Sequence, residues 1–268
     1  MTGHVNLYDS HYGHDQEAVY RAVRAETYGE DLGQASWLTA TELEGFTQQL
    51  ALGPASHLLE VACGSGGVAV SIARRLGSRV TGLDRAATAV GAARDRAKLA
   101  GVAPLTNFQT ADADEALPFP DGAFSAVFCN DAINHFRNRE TILAEWHRLL
   151  HPGGHCLYTD PIVVTGPLSN VEMRARSSIG HFLFVPLGYN EATLQRTGFE
   201  IAAVENTTSA VATIAARWKA ARERHRVPLV AIEGEATYGE LQGFLSIVAQ
   251  LAAEGRLSRF AFLAKKPG

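Results

Sequence analysis

Short apolar runs alternate along the chain with longer segments in which apolar residues recur every three or four positions. Runs of the first kind are typical of buried strands, and segments of the second kind are typical of amphipathic helices. The runs predict seven strands, near residues 57–62, 79–84, 105–111, 124–130, 154–160, 199–206 and 259–265. Helices are predicted between them, including 67–76, 86–100 and 139–150. This alternation predicts an α/β fold built on a doubly wound, mostly parallel sheet.

The predicted helix at 139–150 shows how the pattern assigns residues to the core. Its apolar residues share one face at helical spacing, and Trp146 lies among them. We therefore expect Trp146 to be a core residue without a functional role.

Three further segments lie outside the alternating core. The first covers residues 1–50, where Thr39 and Glu42 have the spacing of a capping box and predict the start of a helix. The second, near 161–190, is rich in apolar residues and carries only scattered charges. Because function varies where a scaffold carries additions, we expect these segments to contribute to substrate binding.

The third segment, near 207–256, separates the last two predicted strands. It predicts two helices, Ser209 to Arg226 and Thr237 to Glu254, joined through Pro228, with Thr237 and Glu240 as a second capping box. We expect residues 1–50 to form a helical cap segment and residues 51–268 to form one cofactor-binding domain. The insertions near 161–190 and 207–256 are expected to form a lid.

A glycine-rich turn follows the first predicted strand. The sequence from Glu60 to Gly67 ends an apolar run in an acid and then turns through closely spaced glycines into a predicted helix. Glycines are needed there because the chain reverses within a few residues and a ligand must approach bare backbone. About twenty residues later Asp84 ends the second strand, where its carboxylate can meet a ribose. The two segments together predict a nucleoside-containing cofactor.

The identity of that cofactor is open on the turn alone. Gly64, Gly66 and Ala69, with Asp84 beyond them, also satisfy the fingerprint of a dinucleotide site, which keeps NAD as an alternative. Glu60 argues against NAD, because its carboxylate would repel a pyrophosphate. The same carboxylate is well placed for the ammonium group of S-adenosylmethionine.

The stretch from Glu60 to Gly154 resembles the class I S-adenosylmethionine-dependent methyltransferases of the small-molecule type. Five segments match in order; they are Glu60 to Gly66, the acid Asp84 after Gly82 and Leu83, Gln109 to Ala113, Leu117 to Phe136, and Leu149 to Gly154. One departure is Ala62, which replaces a glycine common in the first motif. Alanine suits the end of a strand but not a positive φ.

The resemblance implies a Rossmann-like fold and S-adenosylmethionine as the cofactor. It also implies that Asp112 faces the adenine amino group and that Asn130 contacts the methionine part of the cofactor. Ser36 and Trp37 are expected to close over that same end, although a purely structural role for Trp37 stays open. The expected cofactor-binding residues are Glu60, Ala62, Gly64, Gly66, Asp84, Arg85, Asp112, Ala113, Asn130, Ser36 and Trp37.

The catalytic candidates are His135 and Asp131, which follow the fourth predicted strand. A methyl group leaves a sulfonium by in-line displacement, so a base is needed only when the acceptor must lose a proton. His135 is expected to be that base, with Asp131 orienting its imidazole if the turn between them is helical. A pocket-lining His135 is the alternative. The stretch resembles the Asp-Ala-Ile-x-His segment of phosphoethanolamine methyltransferases, where the histidine pairs with an N-terminal tyrosine.

Two smaller sets of residues extend these hypotheses. The N-terminal tyrosines available to His135 are Tyr12, Tyr20 and Tyr28. An arginine of the basic stretch Arg217 to Arg226 would suit an anionic group on the substrate if it turned into the pocket. The histidines of His11 to Asp15 have no third ligand at a recognisable spacing, so no metal site is expected.

Composition limits the classes of partner. The chain has 268 residues, a formal charge of -4 and 46% hydrophobic residues, which suits one sizeable core and gives no basic bias toward nucleic acid. It shows no signal-peptide pattern and no apolar run long enough to cross a membrane, so we expect a cytoplasmic protein. The cysteines at 63, 129 and 156 lie in or beside predicted strands and are expected to be reduced core thiols.

The sequence thus predicts an enzyme that methylates a small molecule, with nitrogen, carbon and oxygen open as the acceptor atom. A monomer or a homodimer is expected. Two alternatives belong to other classes: a nicotinamide-dependent oxidoreductase, and a cofactor-binding protein without catalytic activity. The first is weakened because the chain has no Tyr-x-x-x-Lys pair.

Overall fold

The computed structural model describes His14 and residues 17–268, and it is built around one twisted sheet. The seven main strands are β1 (His57–Val61), β2 (Arg79–Asp84), β3 (Thr106–Thr110), β4 (Phe124–Cys129), β5 (Leu150–Val164), β7 (Glu200–Asn206) and β8 (Leu257–Lys265). They lie in the order β3-β2-β1-β4-β5-β8-β7. The first five pair in parallel, whereas β8 runs antiparallel to both β5 and β7. The predicted α/β fold with a mostly parallel sheet is confirmed.

One additional strand was not predicted. β6 (Val185–Pro186) has two residues and pairs in parallel with the end of β5. It forms because β5 continues four residues beyond its predicted end, so that Val163 and Val164 offer backbone to a neighbour. The insertion between β5 and β7 is therefore tied to the sheet.

Helices cover both faces of the sheet. The predicted core helices are observed as α3 (Gly67–Leu76), α4 (Ala87–Leu99) and α5 (Arg139–Leu149). Trp146 on α5 is 1% exposed, as expected for a core residue. One apolar cluster joins α3 and α4 to the sheet, and a second joins α5 to its other side. The inner parallel strands β1, β2 and β4 are buried on both faces, whereas the edge strands β3 and β7 are partly exposed.

The N-terminal region contributes two helices, α1 (Ala18–Tyr28) and α2 (Ala40–Gln49). The Thr39 side chain accepts a hydrogen bond from the Glu42 N–H at 3.1 Å, so half of the predicted capping box is present. His11, Tyr12 and Asp15 lie outside the described residues, and so does the rest of the chain before residue 17 apart from His14.

Residues 161–256 add four more helices, namely α6 (Asn170–Arg176), α7 (Tyr189–Arg196), α8 (Thr208–Arg224) and α9 (Arg226–Ala253). The last two helices are separated at His225, close to the predicted end of the first. Pro228 does not interrupt the chain, because it lies in the first turn of α9, where the backbone N–H groups have no partner within the helix. A further interruption falls inside α9 at Gly234, which has φ 79° and ψ 158°, and Thr237 lies within the helix after it and does not start one. Only glycine adopts that conformation without strain.

The helices α8 and α9 share a third apolar cluster with α1, separate from the two that flank the sheet. All three cysteines are free and buried, and burial raises the pKa of each thiol. Within residues 17–268, every helix is too short or too polar to cross a membrane.

Candidate active site

A cavity of about 750 Å³ opens at the carboxyl edge of the parallel strands. It lies at the ends of the neighbouring strands β1 and β4. After β1 the chain continues to β2 and β3 on one side of this pair, and after β4 it continues to β5 on the other side. Ligands of open α/β sheets bind at such a switch point. The predicted site residues that line the cavity are Ser36, Trp37, Glu60, Ala62, Gly64, Asp84, Arg85, Asn130, Asp131 and His135.

Three predicted residues are not among those that line the cavity. Gly66 lies in the turn behind the lining residues, and Asp112 and Ala113 follow the end of β3. Asp112 is exposed, and its carboxylate accepts the Asp114 N–H at 3.0 Å.

The turn after β1 is held in left-handed backbone conformations. Gly64 and Gly66 have φ of 53° and 72°. Ala62 has φ 58°, so the expectation that alanine would avoid a positive φ there was wrong. Its neighbours impose the conformation, since the next N–H, that of Cys63, donates to the Leu83 carbonyl at 2.9 Å. A left-handed alanine costs about 1–2 kcal/mol.

The segment of residues 32–38, here called the covering segment, lies directly against this turn. A Cβ on Gly67 would stand 1.5 Å from the Leu32 carbonyl oxygen, and the Ser65 hydroxyl donates to the Gly33 carbonyl at 3.3 Å. Glycine at 67 is therefore required by the protein's own backbone as well as by any ligand.

Glu60 brings a buried carboxylate to the cavity wall. It is 4% exposed, and its Oε2 atom has no hydrogen-bond partner among the described residues. The pKa of Glu60 is raised to about 8, chiefly by burial and in part by the charge of Asp84, against a backbone hydrogen bond from Ala69 that lowers it. Such a group is suited to receive a cation that would complete its hydrogen bonds.

Asp84 is fixed by the backbone around it. Its Oδ2 atom accepts the Gly64 N–H at 2.9 Å, and its Oδ1 atom accepts the Ala86 N–H at 2.9 Å. Both bonds hold the carboxylate at the end of β2, beside the glycine turn. A ligand that spans the two strand ends would meet Glu60 at one and Asp84 at the other.

Asn130 and Asp131 join the end of β4 to the covering segment. Asn130 Nδ2 donates to the Ser36 hydroxyl at 2.8 Å, and the Trp37 N–H donates to Asp131 Oδ2 at 2.9 Å. The indole of Trp37 packs at 6.1 Å from Trp218. Trp37 thus lies between the strand ends and the insertion helices.

His135 is oriented by the insertion near 161–190 and not by Asp131, which corrects the predicted pairing. The turn at Ile133–His135 is a single 3-10 turn that does not include Asp131, whose φ is 54° and whose carboxylate is bound elsewhere. His135 Nδ1 instead bonds the His181 carbonyl at 2.8 Å. Because a carbonyl only accepts, Nδ1 carries the proton and the neutral ring has its lone pair on Nε2.

The surroundings of His135 favour its neutral form. The pKa of His135 is lowered to about 4, chiefly by burial and in part by the charges of Arg176 and Arg85, against a backbone hydrogen bond to His181 that raises it. The ring is neutral at pH 7 and can accept a proton only when a strong acid presents one.

The wall opposite the strand ends was not predicted. Arg176, the last residue of α6, is 1% exposed, and its guanidinium carbon lies 4.7 Å from the Phe182 ring centre and 5.0 Å from that of Phe244. Phe182 also packs against the His135 ring at 4.6 Å. The further residues of this wall include Ile179, His181, Trp218 and Leu241.

The arginine expected at the pocket lies in a different helix from the predicted one. Within the basic stretch from 217 to 226, Arg222 is buried but pairs with Glu233 at 2.7 Å, and Arg224 pairs with Glu26. None of that stretch except Trp218 lines the cavity. One sequence signal could have indicated the helix that carries Arg176. Ser169 and Glu172 form a complete capping box at the start of α6, and Arg176 is the last residue of that helix.

The described residues contain no group of three or more histidine, cysteine or acidic side chains arranged to hold a metal ion. Of the candidate tyrosines, Tyr28 donates to the Ser36 carbonyl at 2.6 Å, and neither Tyr20 nor Tyr28 lines the cavity. Tyr12 lies outside the described residues.

A protein-family model described as a methyltransferase domain matches residues 59–158. That range holds β1 to β5 and with them the glycine turn, Asp84 and His135. Most of the opposite wall, including Arg176, Trp218 and Phe244, lies outside it.

Similar proteins extend the match over more of the chain. The 27-O-demethylrifamycin SV methyltransferase of Amycolatopsis mediterranei is 28% identical, over 82% of this chain and 86% of that protein. The sarcosine/dimethylglycine N-methyltransferase of Halorhodospira halochloris is 33% identical, but over only 50% of this chain and 47% of that protein.

Among solved structures, the phosphoethanolamine N-methyltransferase 2 of Haemonchus contortus in complex with S-adenosyl-L-methionine has a TM-score of 0.79 and 23% identity. The likeness covers 96% of this chain and 60% of that one. At this identity it shows a shared fold.

Proposed function

We propose that this chain, as a member of the class I S-adenosylmethionine-dependent methyltransferases, methylates a hydroxyl group on a largely apolar small molecule. The supporting observation is the wall opposite the strand ends, which presents a buried arginine and a neutral histidine among aromatic rings. The nicotinamide-dependent alternative has no support among the similar proteins.

The strand ends fit the cofactor. The buried Oε2 atom of Glu60 offers an acceptor for the ammonium of the methionine part, and Asp84 offers a carboxylate for the ribose. The glycine turn at Gly64 leaves room between them. We assign Asn130, Ser36 and Trp37 to the methionine end, as the sequence predicts.

We assign the remaining predicted cofactor-binding residues to the nucleoside part of the cofactor. Arg85, which follows Asp84 in the chain, and Ala62, at the start of the glycine turn, both line the cavity. Asp112 and Ala113 follow the strand next to Asp84, and reaching an adenine would require Asp112 to turn from Asp114 toward the cavity. Gly66 would contribute through the shape of the turn only.

The charges on the opposite wall favour a hydroxyl acceptor over an amine. An alkyl ammonium that enters a buried pocket needs a carboxylate or open aromatic faces to replace its water. The acids among the described lining residues are Glu60, Asp84 and Asp131, all at the strand ends. The faces of Phe182 and Phe244 already carry the guanidinium of Arg176, so they are not open to a second cation.

The similarity to an O-methyltransferase supports the same conclusion. The relative that matches over most of both chains is named for methylation of a hydroxyl on rifamycin, and its alignment reaches beyond the residues that the family model covers. It therefore includes much of the chain that forms the acceptor wall.

The bound cofactor supplies a methyl group attached to a sulfonium sulfur. When the methyl group is transferred, the cofactor is left as a neutral thioether. The protein has to align the acceptor oxygen with that methyl and exclude water. Trp37, Phe182 and Phe244 exclude water from one side of the cavity. We assign His135, whose neutral ring lines the cavity, as the group that receives the proton of the acceptor hydroxyl. As the new carbon–oxygen bond forms, that proton becomes strongly acidic, so even a weakly basic imidazole can take it.

The test uses pairs of alcohols and amines built on the same apolar skeleton, with S-adenosylmethionine in excess. Release of S-adenosylhomocysteine and the mass of the product identify the methylated atom. We expect turnover with alcohols and none with their matched amines. Turnover restricted to the amines would contradict the assignment of the acceptor. Cofactor binding without any product would favour the non-catalytic alternative.

Methylation of an amine is the second candidate. It is supported by the likeness of residues 131–135 to a segment of phosphoethanolamine methyltransferases. Under this alternative His135 would receive the proton of the amine, and the acceptor would have to enter without its charge.

We propose that the partners are limited to small molecules, and that the protein is a monomer or a homodimer without nucleic-acid or membrane partners. The net charge of -4 supports the exclusion of nucleic acid. Light scattering coupled to gel filtration would determine the oligomeric state.

A further inference from the structure

The geometry points to Arg259, on the C-terminal strand β8, as a positioning residue that holds the covering segment over the cofactor half of the cavity. Arg259 does not line the cavity, and its side chain is fully buried. The inference rests on the proposed placement of the cofactor beside Glu60 and Asp84.

Arg259 joins four elements. Its Nε atom donates to Asp131 Oδ1 at 2.6 Å, and its Nη2 atom donates to Asn130 Oδ1 at 3.1 Å. Its Nη1 atom pairs with Glu42 on α2 and donates to the Thr207 hydroxyl at 2.9 Å. The guanidinium thus links the end of β4, the start of α8 and the N-terminal helix α2 to β8 itself.

The contact with Asn130 determines which amide atom faces the covering segment. Asn130 Oδ1 accepts a hydrogen bond from Arg259 Nη2, and the Thr159 hydroxyl, which donates to Asp131, lies 3.1 Å from the same oxygen. Its Nδ2 atom is therefore directed toward Ser36, to whose hydroxyl it donates at 2.8 Å. If the amide were reversed, its NH2 group would face the guanidinium donors.

The contact between Arg259 and Asp131 orients the carboxylate that binds Trp37, the residue after Ser36 in the covering segment. Asp131 Oδ1 is occupied by Arg259 and by the Thr159 hydroxyl, the latter at 2.8 Å. Oδ2 is then left to accept the Trp37 N–H at 2.9 Å. Arg259 also supplies the charge that a buried carboxylate requires, and Asp131 is held at a φ of 54°.

Both side-chain bonds that run from the end of β4 to the covering segment thus start at residues that Arg259 orients. Lysine could keep the charge, but its single ammonium cannot donate to Asn130 and Asp131 in the planar arrangement of a guanidinium. Loss of the guanidinium should release Ser36 and Trp37 together. The cofactor would then leave the cavity faster, while the groups that take part in methyl transfer stay in place.

The experiment compares Arg259→Lys, Ser36→Ala and the double variant with the wild type. Stopped-flow displacement gives the dissociation rate of S-adenosylhomocysteine, and amide hydrogen exchange of the peptide covering residues 32–38 is followed in cofactor-free protein. We expect R259K to speed both processes about tenfold, and S36A to speed dissociation by a smaller factor. Because the two changes act on one chain of contacts, the double variant should be no faster than R259K alone.

Glu42→Gln is the matched control. It removes a charge that touches Arg259 but no group that touches the covering segment, so both rates should stay within about twofold of the wild type. R259K with unchanged exchange at residues 32–38, or effects of R259K and S36A that multiply, would overturn the inference. Should R259K fail to fold, an unchanged dissociation rate in S36A would overturn it as well.

A failure of the cofactor placement would have a different signature. In that case Glu60→Gln and Asp84→Asn would leave the affinity for S-adenosylhomocysteine unchanged. The amide exchange of residues 32–38 in R259K would still report on Arg259 by itself.

Discussion

Gly64 donates its backbone N–H to Asp84 Oδ2 at 2.9 Å, so the glycine turn and the carboxylate of the neighbouring strand form one unit. Asp84→Asn keeps the shape of this side chain but removes its charge and replaces one acceptor with a donor. A hydrogen bond to a charged group is worth about 1.5–3 kcal/mol. We therefore expect the Kd of S-adenosylhomocysteine, measured by calorimetry, to rise by roughly tenfold to a hundredfold.

Asp121→Asn is the control for that measurement. Asp121 is exposed and pairs with Arg148 at 2.7 Å, away from the cavity. Its replacement should leave the Kd unchanged. Equal affinities for the wild type and Asp84→Asn would mean that the ribose lies elsewhere.

Glu60 should make cofactor binding depend on pH. Its pKa of about 8 means that the carboxyl is mostly protonated at pH 7 in the cofactor-free protein. An ammonium bound beside it favours the ionised form, so binding should release close to one proton at pH 7, and affinity should rise as the pH increases toward 8. Calorimetry in buffers of different ionisation enthalpy counts the proton. Glu60→Gln should abolish its release.

The same substitution provides a check on folding. The pKa of Glu60 is raised in the folded state, so the folded protein binds more protons than the unfolded chain between about pH 4.5 and 8. Its contribution to stability is therefore lost as the pH rises through that window. Glu60→Gln should make the cofactor-free protein more stable at pH 7 than the wild type, by about 1–3 kcal/mol. A less stable variant would contradict the raised pKa.

His135→Ala should lower kcat by about a hundredfold or more with cofactor and acceptor saturating, the range for a lost proton acceptor. Because the pKa of His135 is low, the plot of kcat against pH should show no change between pH 6 and 8 from protonation of this histidine. Activity that depends on the neutral ring should fall only as the pH approaches 4.

His147→Ala is the matched control for that profile. His147 is a histidine of α5 that packs against Phe199 at 5.0 Å and does not line the cavity. Its loss should leave kcat unchanged. Full activity in His135→Ala would reduce that residue to a pocket-lining role.

Arg176→Gln should widen the range of acceptors. It removes the positive charge between Phe182 and Phe244 and leaves both aromatic faces to other cations. We expect matched amines to bind at least tenfold more tightly to the variant than to the wild type, measured in the presence of S-adenosylhomocysteine. Arg174→Gln, an exposed change on the same helix, should have no such effect. Unchanged selectivity would remove the charge argument for a hydroxyl acceptor.

Ala62→Gly tests the strain in the turn. Glycine adopts a φ of 58° without the cost that alanine carries, although it loses more chain entropy on folding. The free energy of unfolding should rise by about 0.5–1 kcal/mol in chemical denaturation. Ala51→Gly, at a φ of 51° beyond the end of α2, should give a gain of similar size far from the cavity. A loss of stability in both variants would mean that chain entropy outweighs strain.

The strands and the glycine turn could be predicted because their signals are local. Apolar runs, two glycines and an acid at a strand end specify the cofactor edge within a few residues of sequence, and the strands from β1 to β4 lie within a residue of their predicted bounds. The backbone of Ala62 could not be predicted in this way, because tertiary contacts force it against its own preference.

The wall opposite the strand ends could not be predicted as a unit, because its only local signal is the capping box that starts α6. Arg176, Trp218 and Phe244 come from three helices, each with an apolar face that could have packed in several ways. Asp131 was placed next to His135 by spacing along a helix, but its partner is Arg259, 128 positions away. Sequence spacing cannot show such a pair, since the antiparallel placement of β8 beside β5 is what brings the two together.

Trp37 belongs to both halves of the cavity at once. Its N–H is bound at the strand ends, whereas its indole packs against Trp218 and Phe244 on the acceptor wall. Binding of either the cofactor or the acceptor costs free energy, because it orders Trp37. Once one of them is bound, the other binds without that cost. Cofactor and acceptor should therefore bind cooperatively, and each should strengthen the affinity of the other by the same factor.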